Sequence, residues 1–298
     1  MISVDKMTKE DISIIFKLAN EFEKENMENI ELCKGKILCN AFFEPSTRTS
    51  LSFGCAMKKL GGEVINFNVD KSSIKKGESL NDTMRTLEQF SNIIVLRHPE
   101  KGIVEKASNI IDTPIINGGD GDGEHPTQAL LDLYTILKNI KNDKKINVCI
   151  IGDIRYSRTI HSLLKIIKKY ELLCNIDFLC YPGCEPDDKY LSEIQEMLKD
   201  SSIKIVDNLN EELYDVIYST RRQKERLGTV DFNIEKYQIN SKKLNNMKEE
   251  CIIMHPLPRN NEITNDVDLD SRAKYYDQVK NGVYIRMAII CDLLINKQ

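Results

Sequence analysis

Residues 36–69 read KILCNAFFEPSTRTSLSFGCAMKKLGGEVINFNV. Lys36 to Phe43 is a short, mostly apolar run that suits a buried strand. Thr47 to Leu60 reads as a helix, opened by the Ser46-Thr47 start signal and stopped by Gly61-Gly62. Glu63 to Val69 reads as a second strand. Strand, helix and strand in direct succession are the unit from which parallel sheets are built.

The same alternation extends outward. Upstream, Thr8 to Glu25 reads as a helix capped by Thr8, with Ile12, Ile15, Phe16, Ala19 and Phe22 recurring at helical spacing. Downstream, Lys71 to Glu78 reads as a polar loop, Leu80 to Phe90 as a helix and Ile93 to Arg97 as a strand. A helix over Ile103 to Ile110, a short strand over Pro114 to Asn117 and a long helix over Thr127 to Ile140 follow. The polar stretch Asn139 to Lys145 interrupts the pattern, which then restarts. Asn147 to Gly152 is a buried strand and Thr159 to Tyr170 a helix. Asp177 to Cys180, Lys204 to Val206, Val216 to Ser219 and Ile252 to Met254 are further strands, and a last helix covers Val283 to Leu294. Two such blocks predict an α/β protein of two domains, each a parallel sheet flanked by helices. The expected limits are 1–138 and 139–282, which suits a chain of 298 residues.

Composition narrows the class. The hydrophobic fraction is 41% and the charged fraction 30%, ordinary for a globular protein. A net charge of −4 gives no pull toward nucleic acid or an anionic membrane. No apolar run is long enough to span a bilayer, and the N-terminal residues lack a signal-peptide layout, so a cytoplasmic location is expected. The nine cysteines are odd in number, and Cys39, Cys149, Cys180 and Cys251 sit in apolar strand-like runs. Only Cys180 and Cys184 lie close together, with no histidine beside them. Buried free thiols are expected rather than disulfides or a metal site.

Ligands of open parallel sheets bind beyond the carboxyl ends of strands, so residues that follow strands directly carry the most information. Ser46-Thr47-Arg48-Thr49 follows the first strand and opens a helix. Unpaired N–H groups and the helix dipole favour an anion there, and three hydroxyls and a guanidinium add to it. A Ser-Thr pair alone would be an ordinary N-cap, but a cation in the first helical turn is unfavourable unless an anion joins it. Arg97-His98-Pro99 ends the strand Ile93 to Leu96. His125-Pro126-Thr127-Gln128 opens the long helix. A histidine at that position has its charged form disfavoured and can donate one hydrogen bond to a carbonyl oxygen. Gly152 to Thr159 follows the first strand of the second block but lacks the second and third glycines of a dinucleotide turn, and its cations suit a carboxylate. Thr220 to Arg226 and His255-Pro256-Leu257-Pro258-Arg259 follow two later strands, the latter as a stiff, proline-rich loop. Ser72 to Glu78, taken alone, is a solvated loop. Arg48, Lys76, Arg97, Arg158 and Arg221 together describe a pocket for highly anionic small substrates, with no nucleophile triad and no metal-ligand cluster. Its catalysis would rest on positioning and charge stabilisation.

Phe43-Glu44-Pro45-Ser46-Thr47-Arg48-Thr49, His125-Pro126-Thr127-Gln128 and His255-Pro256-Leu257-Pro258-Arg259 resemble the signatures of the aspartate/ornithine carbamoyltransferase family, and the similarity runs through almost the whole chain. His255-Pro256-Leu257-Pro258 stands where ornithine enzymes usually carry His-Cys-Leu-Pro. That feature and the run Arg221 to Arg226 resemble the aspartate branch. The resemblance implies transfer of the carbamoyl group of carbamoyl phosphate to the amino group of L-aspartate, a step of pyrimidine biosynthesis, without metal or cofactor. It implies that Ser46, Thr47, Arg48, Thr49 and Arg97 hold the phosphate, and that Thr49, Arg97 and His125 polarise the carbamoyl carbonyl. Gln128 and the backbone carbonyls of Leu257 and Pro258 would fix the carbamoyl NH2. Arg158 would take the α-carboxylate of aspartate, and Arg221 with Gln223 its side-chain carboxylate. Ser72 and Lys76 would enter from a neighbouring subunit, so that the site exists only in a homotrimer; a separate regulatory chain is compatible with the family. The C-terminal segment 283–298 would pack back on the first domain. The chain departs from the family at Gly54, where many relatives have Glu, and at Arg222, where an apolar residue is common; neither is an expected ligand. An ornithine-type acceptor and a non-catalytic paralogue are the rival readings.

Overall fold

The computed structural model describes residues 1–24, 31–69, 72–140, 145–172, 174–222 and 232–296. The chain forms two compact units, Met1–Leu131 with Val279–Gln298, and Asp132–Gln278.

The first unit holds a sheet of β1 (Ile37–Phe42), β2 (Glu63–Asn68), β3 (Ile93–His98) and β4 (Ile115–Asp120) in the order β2-β1-β3-β4. Every pairing is parallel. The interior strands β1 and β3 and the edge strand β4 are mostly buried, and the other edge strand β2 is half exposed. Helices α1 (Lys9–Lys24), α2 (Thr47–Lys59), α3 (Leu80–Glu88) and α4 (Ile103–Ser108) alternate with the strands. Cys39, Ala41, Ile94, Leu96 and Ile115 of the sheet pack on Met84, Leu87, Val104 and Ala107 of α3 and α4. The five apolar residues expected on the inner face of α1 are the five it buries. Its start is a reciprocal cap: the Asp11 N–H donates to Thr8 Oγ1 at 3.1 Å and the Thr8 N–H to the Asp11 carboxylate at 2.9 Å. Helix α5 (Pro126–Asn139) runs across the boundary into the second unit.

The second unit holds β5 (Ile146–Gly152), β6 (Cys174–Cys180), β7 (Ile203–Ile205), β8 (Val216–Ser219) and β9 (Ile252–Met254) in the order β7-β6-β5-β8-β9, again all parallel. Helices α6 (Arg158–Tyr170) and α7 (Asp188–Met197) belong to it. Its core joins Cys149, Ile151, Leu179, Ile217 and Ile253 of the sheet to Tyr181, Tyr237 and Tyr275.

Three expectations need correcting. The polar stretch 71–78 contains a turn of 3-10 helix, Ser73–Lys76, capped by Ser72. Strand β6 starts at Cys174 rather than Asp177. Its polar side chains are satisfied sideways: Asn175 donates to Asn147 Oδ1 at 2.9 Å, and Asp177 accepts from the Tyr214 hydroxyl at 2.9 Å. The C-terminal helix is Tyr275–Cys291, not Val283–Leu294, and Gly282 lies inside it. The sequence-derived limits 138 and 282 both fall within helices. Eight cysteines are buried, Cys55 is exposed, and all nine are free thiols. Burial pushes Cys39 up to about 12. Among the described residues no helix is long and apolar enough to cross a membrane.

Candidate active site

In each sheet the strand order reverses once, between β1 and β3 in the first unit and between β5 and β8 in the second. Side chains beyond the carboxyl ends of those strands line the crevice where such folds take ligands.

In the first unit β1 runs into Phe43, whose N–H donates to the Arg97 carbonyl at 2.8 Å, so the ends of β1 and β3 stay joined. The chain then enters α2 through Ser46, which sits at the N-cap in an extended conformation without a side-chain capping bond. The first turn of α2 has no acidic residue and carries Arg48, exposed at the helix mouth. Thr49 points inward and is buried; its Oγ1 lies 3.5 Å from His125 Nε2. His125 is the residue before α5, and its carbonyl accepts the Gln128 and Ala129 N–H groups at 3.0 and 3.1 Å. Gln128 is half-buried one turn in. Arg97 closes the group. Its Nε donates to Glu44 Oε1 at 2.6 Å and its Nη1 to the Gly118 carbonyl at 3.4 Å. This half therefore gathers hydroxyls, helix N–H groups, two guanidiniums and an imidazole, a set that suits a phosphate and an adjacent carbonyl oxygen.

Carboxylates that sequence reading missed hold this half in shape. Glu44 orients Arg97. Glu124, next to His125, accepts Ser3 Oγ at 2.9 Å and the Val4 N–H at 2.7 Å. Asp120, at the end of β4, accepts the N–H of Glu124 at 2.8 Å and that of Gly102 at 3.0 Å. Among the described residues no hydrogen bond or ion pair joins Ser72 or Lys76 to this group. The Ser72 hydroxyl is used within its own turn, on the Val69 carbonyl at 2.8 Å. Lys76 is exposed, and its ammonium has no ion pair among the described residues.

In the second unit β5 ends at Gly152, which passes so close to Thr220 that a Cβ would lie 2.4 Å from Thr220 Oγ1. The buried Asp153 accepts the Tyr156 N–H at 2.9 Å and folds the turn that leads to Arg158, the first residue of α6. His161, one turn into α6, donates from Nε2 toward the Ile154 and Arg155 carbonyls, each 3.1 Å away, and ties the turn to the helix. Arg155 is exposed and pairs with Asp187 at 3.8 Å. Arg158 and Arg221 are both half-buried at the switch point. Arg222 is buried and lies against the Cys184 thiol, which burial pushes up to about 11. Gln223 lies outside the described residues.

The loop after β9 is braced at both ends. His255 Nδ1 accepts the Leu257 N–H at 2.8 Å, so the ring carries its proton on Nε2, which donates to the buried Glu262 carboxylate at 2.9 Å. Leu257 adopts a left-handed φ of 53°. Arg259 is taken by Asp268 and Tyr275, which raises its pKa and makes it a support of the loop. This half offers guanidiniums and fixed backbone groups, a set that suits carboxylates. Among the described residues no group of three or more His, Cys, Asp or Glu is placed to hold a metal ion.

Two family models match the chain. One, described as aspartate/ornithine carbamoyltransferase, carbamoyl-P binding domain, covers residues 1–138, and its Asp/Orn binding domain counterpart covers 144–293. The chain belongs to the aspartate/ornithine carbamoyltransferase family. Within it, the chain is 43% identical to the aspartate carbamoyltransferase catalytic subunit of Picrophilus torridus, over 99% of this chain and 97% of that one. It is 41% identical over 97% of its length to the multifunctional protein ura1 of Schizosaccharomyces pombe, and spans 13% of that longer protein. The structure is similar to the aspartate transcarbamoylase of Trypanosoma cruzi in complex with carbamoyl phosphate and aspartate. That match has a TM-score of 0.91 at 36% identity and covers 98% of this chain and 94% of the other.

Proposed function

We infer that the chain transfers the carbamoyl group of carbamoyl phosphate to the amino group of L-aspartate, giving N-carbamoyl-L-aspartate and phosphate, in de novo pyrimidine biosynthesis. The observation that carries this reading is near full-length similarity to aspartate carbamoyltransferases in a chain whose anion-binding side chains flank both sheet switch points.

The phosphate is bound by Ser46, Thr47, Arg48, Thr49 and Arg97. Thr49, Arg97 and His125 face the carbamoyl oxygen, which gains charge as the amine attacks. The closeness of Thr49 Oγ1 to His125 Nε2 supports their acting on one atom. Gln128 and the carbonyls of Leu257 and Pro258 hold the carbamoyl NH2. Arg158 takes the α-carboxylate of aspartate, and Arg221 with Gln223 the side-chain carboxylate. The amine nitrogen bonds to the carbamoyl carbon, the bond from that carbon to the phosphate oxygen breaks, and the phosphate leaves with the proton from the amine. Residues 1–138 serve carbamoyl phosphate and 139–282 aspartate, with 283–298 returning to the first domain. The enzyme works in the cytoplasm as a homotrimer in which Ser72 and Lys76 enter the adjacent subunit's site; the exposed Lys76 ammonium supports this.

Carbamoyl-transfer assays on the purified chain test the reading. With carbamoyl phosphate supplied, L-aspartate reacts, and L-ornithine reacts slower by about 10⁴ or more, because a site built to bind a group rejects an analogue that lacks it. Equal turnover of the two amines would remove the aspartate assignment.

A further inference from the structure

One buried carboxylate is linked to the segments of the second unit that carry Arg158, Arg221 and Leu257. Asp132 of α5 is fully buried, as are Tyr218 of β8, His255 after β9 and Gln278 of the C-terminal helix. Asp132 Oδ2 accepts the Tyr218 hydroxyl at 2.7 Å and Oδ1 accepts Gln278 Nε2 at 2.7 Å. A carboxylate only accepts, so both neighbours must donate and their remaining oxygens face outward as acceptors. The Gln278 Oε1 takes the His255 N–H at 2.8 Å. The Tyr218 oxygen is within hydrogen-bond reach of the Thr159 hydroxyl, and Thr159 Oγ1 lies 2.9 Å from Ser157 Oγ. Thr159 follows Arg158, Tyr218 stands three residues before Arg221, and His255 accepts the N–H of Leu257. Burying a charge is costly, and an apolar side chain of similar size would fill the space at lower cost. The retained carboxylate sets the direction of each donor instead.

We propose that Asp132 is a positioning residue for the acceptor: through Tyr218 it sets the mutual placement of Arg158 and Arg221, and through Gln278 it steadies the Leu257 loop. The proposal rests on the aspartate reading above. It gives Asp132, Tyr218 and Gln278 a role in specificity without contact with substrate.

The test is steady-state kinetics of the full chain, with thermal melting, for Tyr218→Phe, Asp132→Asn and Thr159→Val. Small displacements of binding groups carry large kinetic penalties, so Tyr218→Phe and Asp132→Asn raise the KM for aspartate about tenfold or more; Tyr218→Phe, which leaves the Gln278 arm to the Leu257 loop in place, leaves the KM for carbamoyl phosphate within about twofold. Thr159→Val, which cuts only the arm to Arg158, has a smaller effect in the same direction. Lower melting temperatures with an unchanged KM for aspartate would make the network purely structural and overturn the proposal. Equal rises in both KM values for Tyr218→Phe would overturn it too, because the whole site would have loosened. If Asp132→Asn does not fold, Tyr218→Phe decides alone, since it removes a single oxygen. A wild-type chain inert toward aspartate overturns the proposal together with the reading beneath it; an active wild type with unmoved variants overturns the proposal only.

Discussion

Glu262 accepts from His255 Nε2 at 2.9 Å and from the Asn260 N–H at 3.1 Å while being almost wholly buried. Burial pushes its pKa up, but the hydrogen bonds from His255 and the backbone outweigh burial and hold it below its ordinary 4.5. A carboxyl with a lowered pKa in the folded state contributes stability above its unfolded pKa and loses it as pH falls through the lowered value. The melting temperature of the native chain should therefore drop on acidification below 4.5, and part of that slope should belong to Glu262. Glu262→Gln should melt lower at neutral pH and show a flatter acid limb. Parallel melting curves for the two proteins would show that Glu262 carries none of the slope.

Among the elements, β5 ends at Gly152 directly against Thr220, the residue after β8. Gly152 has a φ of 130°, and a Cβ there would lie 2.6 Å from the Thr220 carbonyl. Gly54, in the interior of α2, has 4.0 Å of room to its nearest neighbour. The same substitution should act oppositely at the two sites. Gly152→Ala destabilises by more than about 1 kcal/mol, because the native backbone rejects a side chain. Gly54→Ala stabilises by about 0.5–1 kcal/mol, as expected inside a helix. Urea titrations of both variants decide this; two shifts of the same sign would contradict the geometry. Much of the order of elements is legible in the sequence, because parallel strands such as β8 and β9 are plain apolar runs between turn residues. The start of β6 is not, since Asn175 and Asp177 owe their place in a strand to partners on neighbouring segments. Nor is the start of the C-terminal helix, where Tyr275 to Lys280 lacks an obvious apolar period. The candidate site divides the same way. Ser46 to Thr49, His125 and Arg221 announce themselves through local motifs. Glu124 and Asp132 act through partners far along the chain, at Ser3 and Gln278, and such pairings leave no local signal.

At the scale of the whole molecule, the proposed homotrimer can be checked by mixing. Arg48→Ala and Lys76→Ala, each inactive alone, should complement each other when dissociated and reassembled. A site that takes Arg48 from one subunit and Lys76 from the next is intact in such hybrids, up to about one site in three per trimer. Verified hybrids that stay as inactive as their parents would place Lys76 in its own chain's site or in none. The division of the chain has a different consequence. Asp132–Gln278 is continuous in sequence, whereas Met1–Leu131 is completed only by Val279–Gln298. Domains fold as units while the ribosome still extends the chain, at about 5–20 residues per second. Asp132–Gln278 can therefore fold from its own residues alone, whereas Met1–Leu131 must wait for Val279–Gln298, which are made long after it. Nascent chains stalled before Val279–Gln298 leave the ribosome should show Met1–Leu131 still open to protease, with full protection only once Val279–Gln298 has emerged.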